Sequence, residues 1–412
     1  MEEKISEEIN MKNSHIWTIK YTLLNAAYFV AFCTIHAYAA VYLLANGFSN
    51  TEVGILLAVA NIISAVLQPV IAGIIDKPGF LTNKRFILIS VMIIFAGSVI
   101  LMLFPEHKLI IFAVYALIYM IQFAYQPVMT ALCFEYQKAG YNIFYGLARG
   151  LGSASFAITS FFIGRIVERS GVSVLLWVNL ASMIISALIV LSFNRNNPAA
   201  SDDNNTDRSA GVAHNSLSSF VKTYPAFSLF LIGTVCFFFA HNMINDFMIQ
   251  IIRQLGGAES ELGFANFLQA ILELPVMALI GIVLKKISAE KLLVFSGGAF
   301  FVKILILVGA STMAHMYISQ SFQLFAYAVF IPAGAYYVSN TMEELDQVKG
   351  QAFITSAITI GGVFSNLISG VILDHLGIKT MLITGSAVCF IGVLIAIIAM
   401  RRLPHHNSHC VS

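Results

Sequence analysis

The chain has 412 residues, of which 58% are hydrophobic and only 11% charged, with a formal net charge of +2. A soluble domain carries roughly 25% charged residues, and the mean hydropathy here is +0.83. The composition excludes a soluble enzyme, gives no footing to nucleic-acid binding and defines a polytopic membrane protein.

The first fifteen residues, MEEKISEEINMKNSH, are polar and mixed in charge, without the short apolar core of a cleavable leader. Twelve apolar segments follow, each near the roughly 20 residues that a helix needs to cross the hydrocarbon core. Spans 1 to 6 are expected at 17–45, 52–75, 86–104, 108–133, 143–164 and 172–193. Spans 7 to 12 are expected at 224–252, 262–284, 291–311, 318–339, 351–373 and 378–400. Connections are short except for the polar stretch 195–219, which reads as a flexible linker. It divides the chain into a six-helix bundle over 1–194 and a second over 220–412. Five scattered cysteines lack the spacing of a disulfide framework or a metal site, and no phosphate-cradling Gly-Lys-Ser/Thr loop is present. No cofactor is expected.

Lys and Arg in the loops set the orientation. With the N-terminus inside, sixteen fall on the cytoplasmic side and five outside, while Arg149 and Lys303 lie within spans. Both termini are expected to be cytoplasmic.

The two halves carry a repeat. Span 5 ends Gly164-Arg-Ile-Val-Glu168-Arg-Ser-Gly171, and span 11 ends Gly370-Val-Ile-Leu-Asp374-His-Leu-Gly377, 206 residues later. The approach to span 2, with Gly47 and Gly54, matches that to span 8, with Gly256 and Gly263, at an offset of 209. Parallel six-span repeats that rock around a midplane site are an established transporter architecture.

Several polar residues stand out inside these spans. Arg149 opens span 5, and its rigid fork of donors suits a bidentate contact with hydroxyls or a carboxylate; snorkelling to headgroups and a purely interhelical clamp remain open. Glu135, at the end of span 4, is its expected partner. Asn266, Gln269 and Glu273 recur at helical spacing and make a polar stripe on span 8. An unpartnered charge there is expensive, so Glu273 fits a proton carrier or a hydroxyl acceptor. Asn242, Asn245 and Asp246 form a second stripe on span 7, with Asp246 a second coupling carboxylate or a partner of Lys303 on span 9. His36, Gln126, Gln323 and Tyr327 add polar groups on spans 1, 4 and 10. Each neutral one serves equally as helix glue. Spans 3, 6 and 12 carry almost no polar side chains, which points to a cavity lined by spans 1, 2, 4, 5, 7, 8, 10 and 11. Asp76, Lys84 and Arg85 fall in the loop after span 2, where they fit a cytoplasmic gate.

The loop Gly73-Ile-Ile-Asp76-Lys77-Pro-Gly79 through Arg85 resembles the loop signature of the major facilitator superfamily. Within it, "YGLARGLGSASF" at 145–156, Glu273-Leu-Pro275 and Lys349-Gly-Gln-Ala352 resemble the lactose permease group of oligosaccharide:proton symporters and their phenylpropionate-permease-like relatives. The resemblance implies an all-α membrane protein of twelve transmembrane helices, in two six-helix bundles related by pseudo-twofold symmetry. It implies that Arg149 and Glu135 hold a sugar, with Phe156 where that group has a stacking Trp. Lys303 takes the place of the group's span 9 Arg, while Tyr327 and Phe330 stand where its span 10 His and Glu would align, so that proton pathway is altered.

Together these readings predict a secondary transporter of a bacterial cytoplasmic membrane, a monomer importing a mono- or oligosaccharide with a proton by alternating access. Transport of an aromatic acid or nucleoside, or drug efflux, is the alternative. Substrate contacts are expected from Arg149, Glu135, Phe156, Gln126, His36, Asn242, Gln269, Gln323 and Tyr327, and proton coupling from Glu273, Asp246 and Lys303. A reporter inserted within 201–212 is expected to read as cytoplasmic. A periplasmic signal there would overturn the assigned topology.

Overall fold

The computed structural model describes residues 2–75, 79–194 and 217–401. Asp76 and most of the 195–219 linker lie outside these. Eleven helices among the described residues are long and apolar enough to cross a membrane. The twelfth spanning helix is Glu259–Leu284, with 26 residues, or roughly 39 Å at 1.5 Å per residue.

Spans 2 to 6 are single helices over Asn50–Ile75, Asn83–Leu103, Lys108–Lys138, Tyr145–Ser170 and Ser173–Leu191. Span 8 is Glu259–Leu284, span 9 Ala289–Val308, span 11 Glu344–His375 and span 12 Gly377–Arg401. The other three are interrupted. Span 1 runs Glu2–Phe32, passes through a π-helical turn at Cys33–Ala37, and resumes at Ala39–Ala45. Span 7 runs Pro225–Asp246, breaks at Phe247 (φ −116°, ψ 28°) and resumes at Met248–Gln254. Span 10 is Met313–Ser321, a 3-10 turn at Phe322–Leu324, then Tyr327–Thr341. Broken spans are tolerated at membrane depth only where protein or a water-filled cavity meets the freed backbone. Here the repairs are visible: Tyr115 donates to the Ile35 carbonyl at 2.7 Å and Ser296 to that of Ala326 at 2.8 Å.

Within the first half, span 1 packs on spans 5 and 6, and span 4 on spans 2 and 3. In the second half, span 7 packs on spans 11 and 12, and span 9 on spans 10 and 12. The halves meet along two crossings, span 2 against span 11 and span 5 against span 8. Four glycines make these crossings, and all four belong to the repeat. A Cβ on Gly54 would overlap the carbonyl oxygen of Asn366, and one on Gly370 that of Asn50. A Cβ on Gly164 would overlap the carbonyl of Glu259, and one on Gly263 that of Ser160.

The repeat acids complete this seal. Asp374, ending span 11, accepts from the backbone N–H groups of Asn50 (3.1 Å) and Thr51 (2.7 Å), and from their side chains at 2.8 and 2.6 Å. It thus caps span 2 of the opposite half, where a carboxylate meets the positive end of the helix dipole. Glu168, ending span 5, accepts from the Ser260 N–H at 3.3 Å, at the start of span 8. Gln250 adds a bond to Asn50 Oδ1 at 2.8 Å. All of these lie on the far face, opposite the one where span 1 begins and span 12 ends. None of these bonds lies on the near face. There, added Cβ atoms on Gly73, Gly146, Gly150 and Gly281 meet open space. The molecule is therefore shut at the far face and open at the near face.

Replacing Gly54 with leucine is expected to hold the far face open, because nothing at the Asn366 backbone can give way. A cysteine reporter in the cavity of that variant should react with an impermeant reagent applied from the far side. Wild-type rates of reaction would show that the glycine contact does not seal the fold.

Candidate functional site

The breaks in spans 1, 7 and 10 place their neighbouring side chains around the space between the halves. In span 1 the π turn carries His36, and such turns recur at functional positions. Its ring is stacked on Phe32 (centroids 4.0 Å, 11°) and packed on Tyr119 (3.8 Å) and Phe123 (4.5 Å). Both ring nitrogens are buried without a hydrogen-bond partner of good geometry. Phe156 is half-buried and reaches Phe32 at 6.4 Å, so it belongs to the same aromatic wall. Gln126 is half-buried on span 4, immediately before Pro127.

Arg149 is half-buried. It donates to Ser153 Oγ at 3.0 Å, and its guanidinium lies 4.4 Å from the Phe29 ring centre, a favourable cation–π geometry. The pairing with Glu135 expected from sequence does not form: Glu135 accepts instead from Asn83 Nδ2 of span 3 at 2.9 Å. The physical reason is packing, since span 5 lies on spans 1 and 8. Arg149 is thereby turned toward span 1 and the cavity.

The second half holds the charged cluster. Lys303 is fully buried and donates to Gln323 Oε1 at 2.7 Å. The amide of Gln323 in turn donates to Glu273 Oε1 at 2.8 Å. A buried lysine and a half-buried glutamate are thus joined through one side chain rather than in direct contact, and neither head group is left without a hydrogen-bond partner. Gln323, expected to touch solute, is occupied by this bridge. Lys303 is thus linked through Gln323 to Glu273, and of the two roles offered for Asp246 the pairing with Lys303 is not the one made here. Tyr327 stacks on His241 (5.5 Å, 18°), and His241 Nε2 lies 2.9 Å from Asn245 Nδ2. Asn242 donates back to the Phe238 carbonyl at 2.9 Å and packs on Gly362. Gln269 is half-buried with Oε1 unpartnered. Phe330 is in the core, against Phe230, Phe237, Phe238 and Phe300.

Lys84 and Arg85, expected at a gate, are engaged inside their own half. Lys84 donates to the Phe193 carbonyl and to Asn194 Oδ1 (2.9 Å) at the end of span 6, and Arg85 to the Phe80 carbonyl (2.7 Å).

One network escaped the sequence reading. Gln122 Nε2 donates to Asn179 Oδ1 at 3.2 Å, and Asn179 Nδ2 to Ser98 Oγ at 2.8 Å. It ties spans 3, 4 and 6 together, all three side chains fully buried. The available signal was Asn179 itself, a lone amide in an otherwise apolar span.

The profile of the MFS_1-like family matches residues 17–384, and the chain belongs to that family. It has the twelve-helix major facilitator fold and is a membrane transporter. Solved structures of this fold include the nucleoside transporter NupG, with TM-score 0.76, 15% identity, and coverage of 94% of this chain and 100% of that one. An auto-inhibited POT family peptide transporter gives TM-score 0.72 at 10% identity, covering 96% and 99%. A bacterial homologue of the human lysosomal transporter Spinster, inward-facing and occupied, gives 0.70 at 12% identity, covering 94% and 96%. No curated protein sequence matches the chain significantly.

Gln323→Leu is expected to lower the thermal stability of the purified protein, because Lys303 and Glu273 each lose a buried partner at about 1–3 kcal/mol apiece. Melting in detergent measures it. An unchanged midpoint would mean that water replaces the bridge.

Proposed function

We propose that the protein is a proton-coupled symporter of a small sugar or sugar-bearing solute, working by alternating access. The observation that carries this reading is the Lys303–Gln323–Glu273 chain, which ties a fully buried lysine to a half-buried glutamate inside a transporter fold. Ionisable groups inside membrane helices are expensive and belong to ion or substrate pathways. Ionised, Glu273 can only accept hydrogen bonds and is held by Gln323 under the field of Lys303. Protonated, it loses the attraction of Lys303 and can turn its O–H toward a solute hydroxyl. The open near face is the cytoplasmic one by the Lys and Arg distribution, and in that state an ionised, tethered Glu273 matches a carrier that has released its proton.

The bundles 1–194 and 220–412, joined by 195–219, supply the moving parts. Arg149 offers its remaining donors to solute oxygens from the first bundle, and Phe156 an apolar face. Gln269 and Tyr327 face them from the second. A nucleoside is the second reading, favoured by the aromatic wall of Phe32, Phe123 and Phe156 beside Arg149, which suits a planar base attached to a sugar. The setting proposed is a bacterial cytoplasmic membrane, with the protein acting as a monomer.

Two measurements test this. Thermal stabilisation of the purified protein by a panel of sugars, nucleosides and aromatic acids is expected with one of the first two classes; binding at about 100 Kd stabilises by about 2.7 kcal/mol. In proteoliposomes, Glu273→Gln is expected to abolish accumulation against a gradient while solute exchange persists. Continued accumulation would move the proton away from Glu273.

A further inference from the structure

The break in span 1 touches the aromatic wall on one side and the seal between spans 5 and 8 on the other. The π turn Cys33–Ala37 is bracketed by Phe32 and Tyr38. Within it, His36 stacks on Phe32 and packs on Tyr119 and Phe123 of span 4. Two residues later Tyr38 carries the backbone out of the turn at φ −110°, ψ 16°, and its side chain is fully buried. Its hydroxyl donates to the Ser160 carbonyl of span 5 at 3.1 Å. That carbonyl is the one against which Gly263 of span 8 closes. A Cβ on Gly263 would lie 3.0 Å from the Tyr38 hydroxyl oxygen, and one on Gly164 2.9 Å. The hydroxyl therefore sits where spans 1, 5 and 8 meet, with the second half packed against it.

The turn is held from two sides. From span 4, Tyr115 donates to the Ile35 carbonyl at 2.7 Å. Toward span 5, Tyr38 supplies the bond to Ser160. Thr34 only donates back to the Ala31 carbonyl of its own span, at 2.9 Å. A π bulge is a point at which a helix can bend. The position of this one is set by the two tyrosine hydroxyls and by the stack on His36, whose ring nitrogens add no hydrogen bond of good geometry.

We propose that Tyr38 is a positioning residue for transport, coupling the cavity-facing turn of span 1 to the far-face seal. With the far face shut, Gly263 shelters the bond between the hydroxyl and the Ser160 carbonyl from water. Parting spans 5 and 8 uncovers that bond, and water then competes for both partners. The bond therefore favours the shut state by the net worth of a buried hydrogen bond over a solvated one. A solute that displaces the His36 ring from Phe32 moves the turn, and only Ala37 separates His36 from Tyr38. The hydroxyl is thereby drawn away from Ser160, and the seal weakens when the site is occupied. This inference rests on the alternating access of the reading above, and is independent of Glu273 and of the coupling ion.

The test reads the seal directly and needs no solute. A Gln269→Cys reporter in the cavity is labelled by an impermeant maleimide outside right-side-out membrane vesicles, so that only opening of the far face exposes it. Cys236 and Cys410 are replaced, the fully buried Cys33, Cys133 and Cys389 are kept, and labelling of the same background without the reporter is subtracted. Tyr38→Phe keeps the ring, and the Ser160 carbonyl keeps its place in the continuous helix Tyr145–Ser170, so the variant is expected to fold. Its labelling rate should rise roughly two- to tenfold, the range for one net hydrogen bond. Tyr28→Phe is the control: that hydroxyl, also buried and on span 1, donates to the Gln122 carbonyl at 3.0 Å, away from both crossings. It should leave the rate unchanged. His36→Ala should raise the rate in the reporter protein and add nothing once Tyr38→Phe is present, the mark of two residues acting through one contact. An unchanged rate in Tyr38→Phe overturns the proposal, as does an equal rise in Tyr28→Phe, since the bond would then only pack helices. A full His36→Ala effect on top of Tyr38→Phe overturns it as well, because the turn would not act through Tyr38. Proton coupling is read separately, in accumulation by Glu273→Gln, so failure of that reading and failure of this one are distinguishable.

Discussion

Hydrocarbon offers no hydrogen-bond partner, and the rest of the structure follows from that. Every backbone group at membrane depth must be satisfied by its own helix, by a neighbouring span or by water held inside the protein. Nine of the spans obey by remaining continuous. Spans 1, 7 and 10 do not, and each break is repaired from a packed neighbour or opens on the cavity. Those three breaks sit beside His36, Asp246 and Gln323. The same rule explains the two crossings. Gly54, Gly164, Gly263 and Gly370 bring backbone onto backbone with no room for a side chain between. In hydrocarbon such close packing of small residues is a principal attraction between helices. The two carboxylate caps at the far face then add register, since Asp374 recognises the first turn of span 2 and nothing else along it.

This seal is rigid in one direction and weak in another. Its contacts are short and directional, but most of the charged ones lie at the exposed far face, where water can replace them. Asp374 and its partners are exposed. A capping carboxylate at such a site is worth about 0.5–2 kcal/mol, a size that a bound solute or a single proton can outweigh. A transporter needs that balance, because a latch much stronger than its ligands would stay shut.

The architecture was legible in the sequence because its signals are one-dimensional. Span number follows from apolar length, and the polar stripes on spans 7 and 8 follow from helical period, which is why Glu273 could be singled out. The pairing of elements was not legible. Glu135 and Arg149 are joined by a short hairpin, yet span 5 leaves span 4 to pack on spans 1 and 8, and the expected ion pair does not form. The repeat glycines and acids were visible as a pattern with no role attached, because nothing in one chain says that span 2 meets span 11. The breaks were hidden for another reason. Prolines are the usual markers of an interrupted helix, but Pro69, Pro127 and Pro275 lie inside continuous helices, whereas the turn Cys-Thr-Ile-His-Ala at 33–37 contains none. Here tertiary packing, and not local chemistry, decides where the backbone departs from the α-helix.

The two halves also show how one scaffold carries two kinds of chemistry. Ser98 on span 3 and Lys303 on span 9 are 205 residues apart, close to the repeat offset, and Gln122 and Gln323 lie on the corresponding spans 4 and 10. In the first half the glutamine binds Asn179, which binds the serine, and every member is neutral. In the second half the span 10 glutamine binds the lysine and hands its amide to Glu273. A neutral network fixes helices and is indifferent to pH. A charged one changes its hydrogen bonding when a single proton is gained or lost. In the proposed mechanism this divides the labour: the first half presents Arg149 in a constant wall for the solute, while the second half, with the Lys303–Gln323–Glu273 chain, is the part whose internal bonds change with the proton.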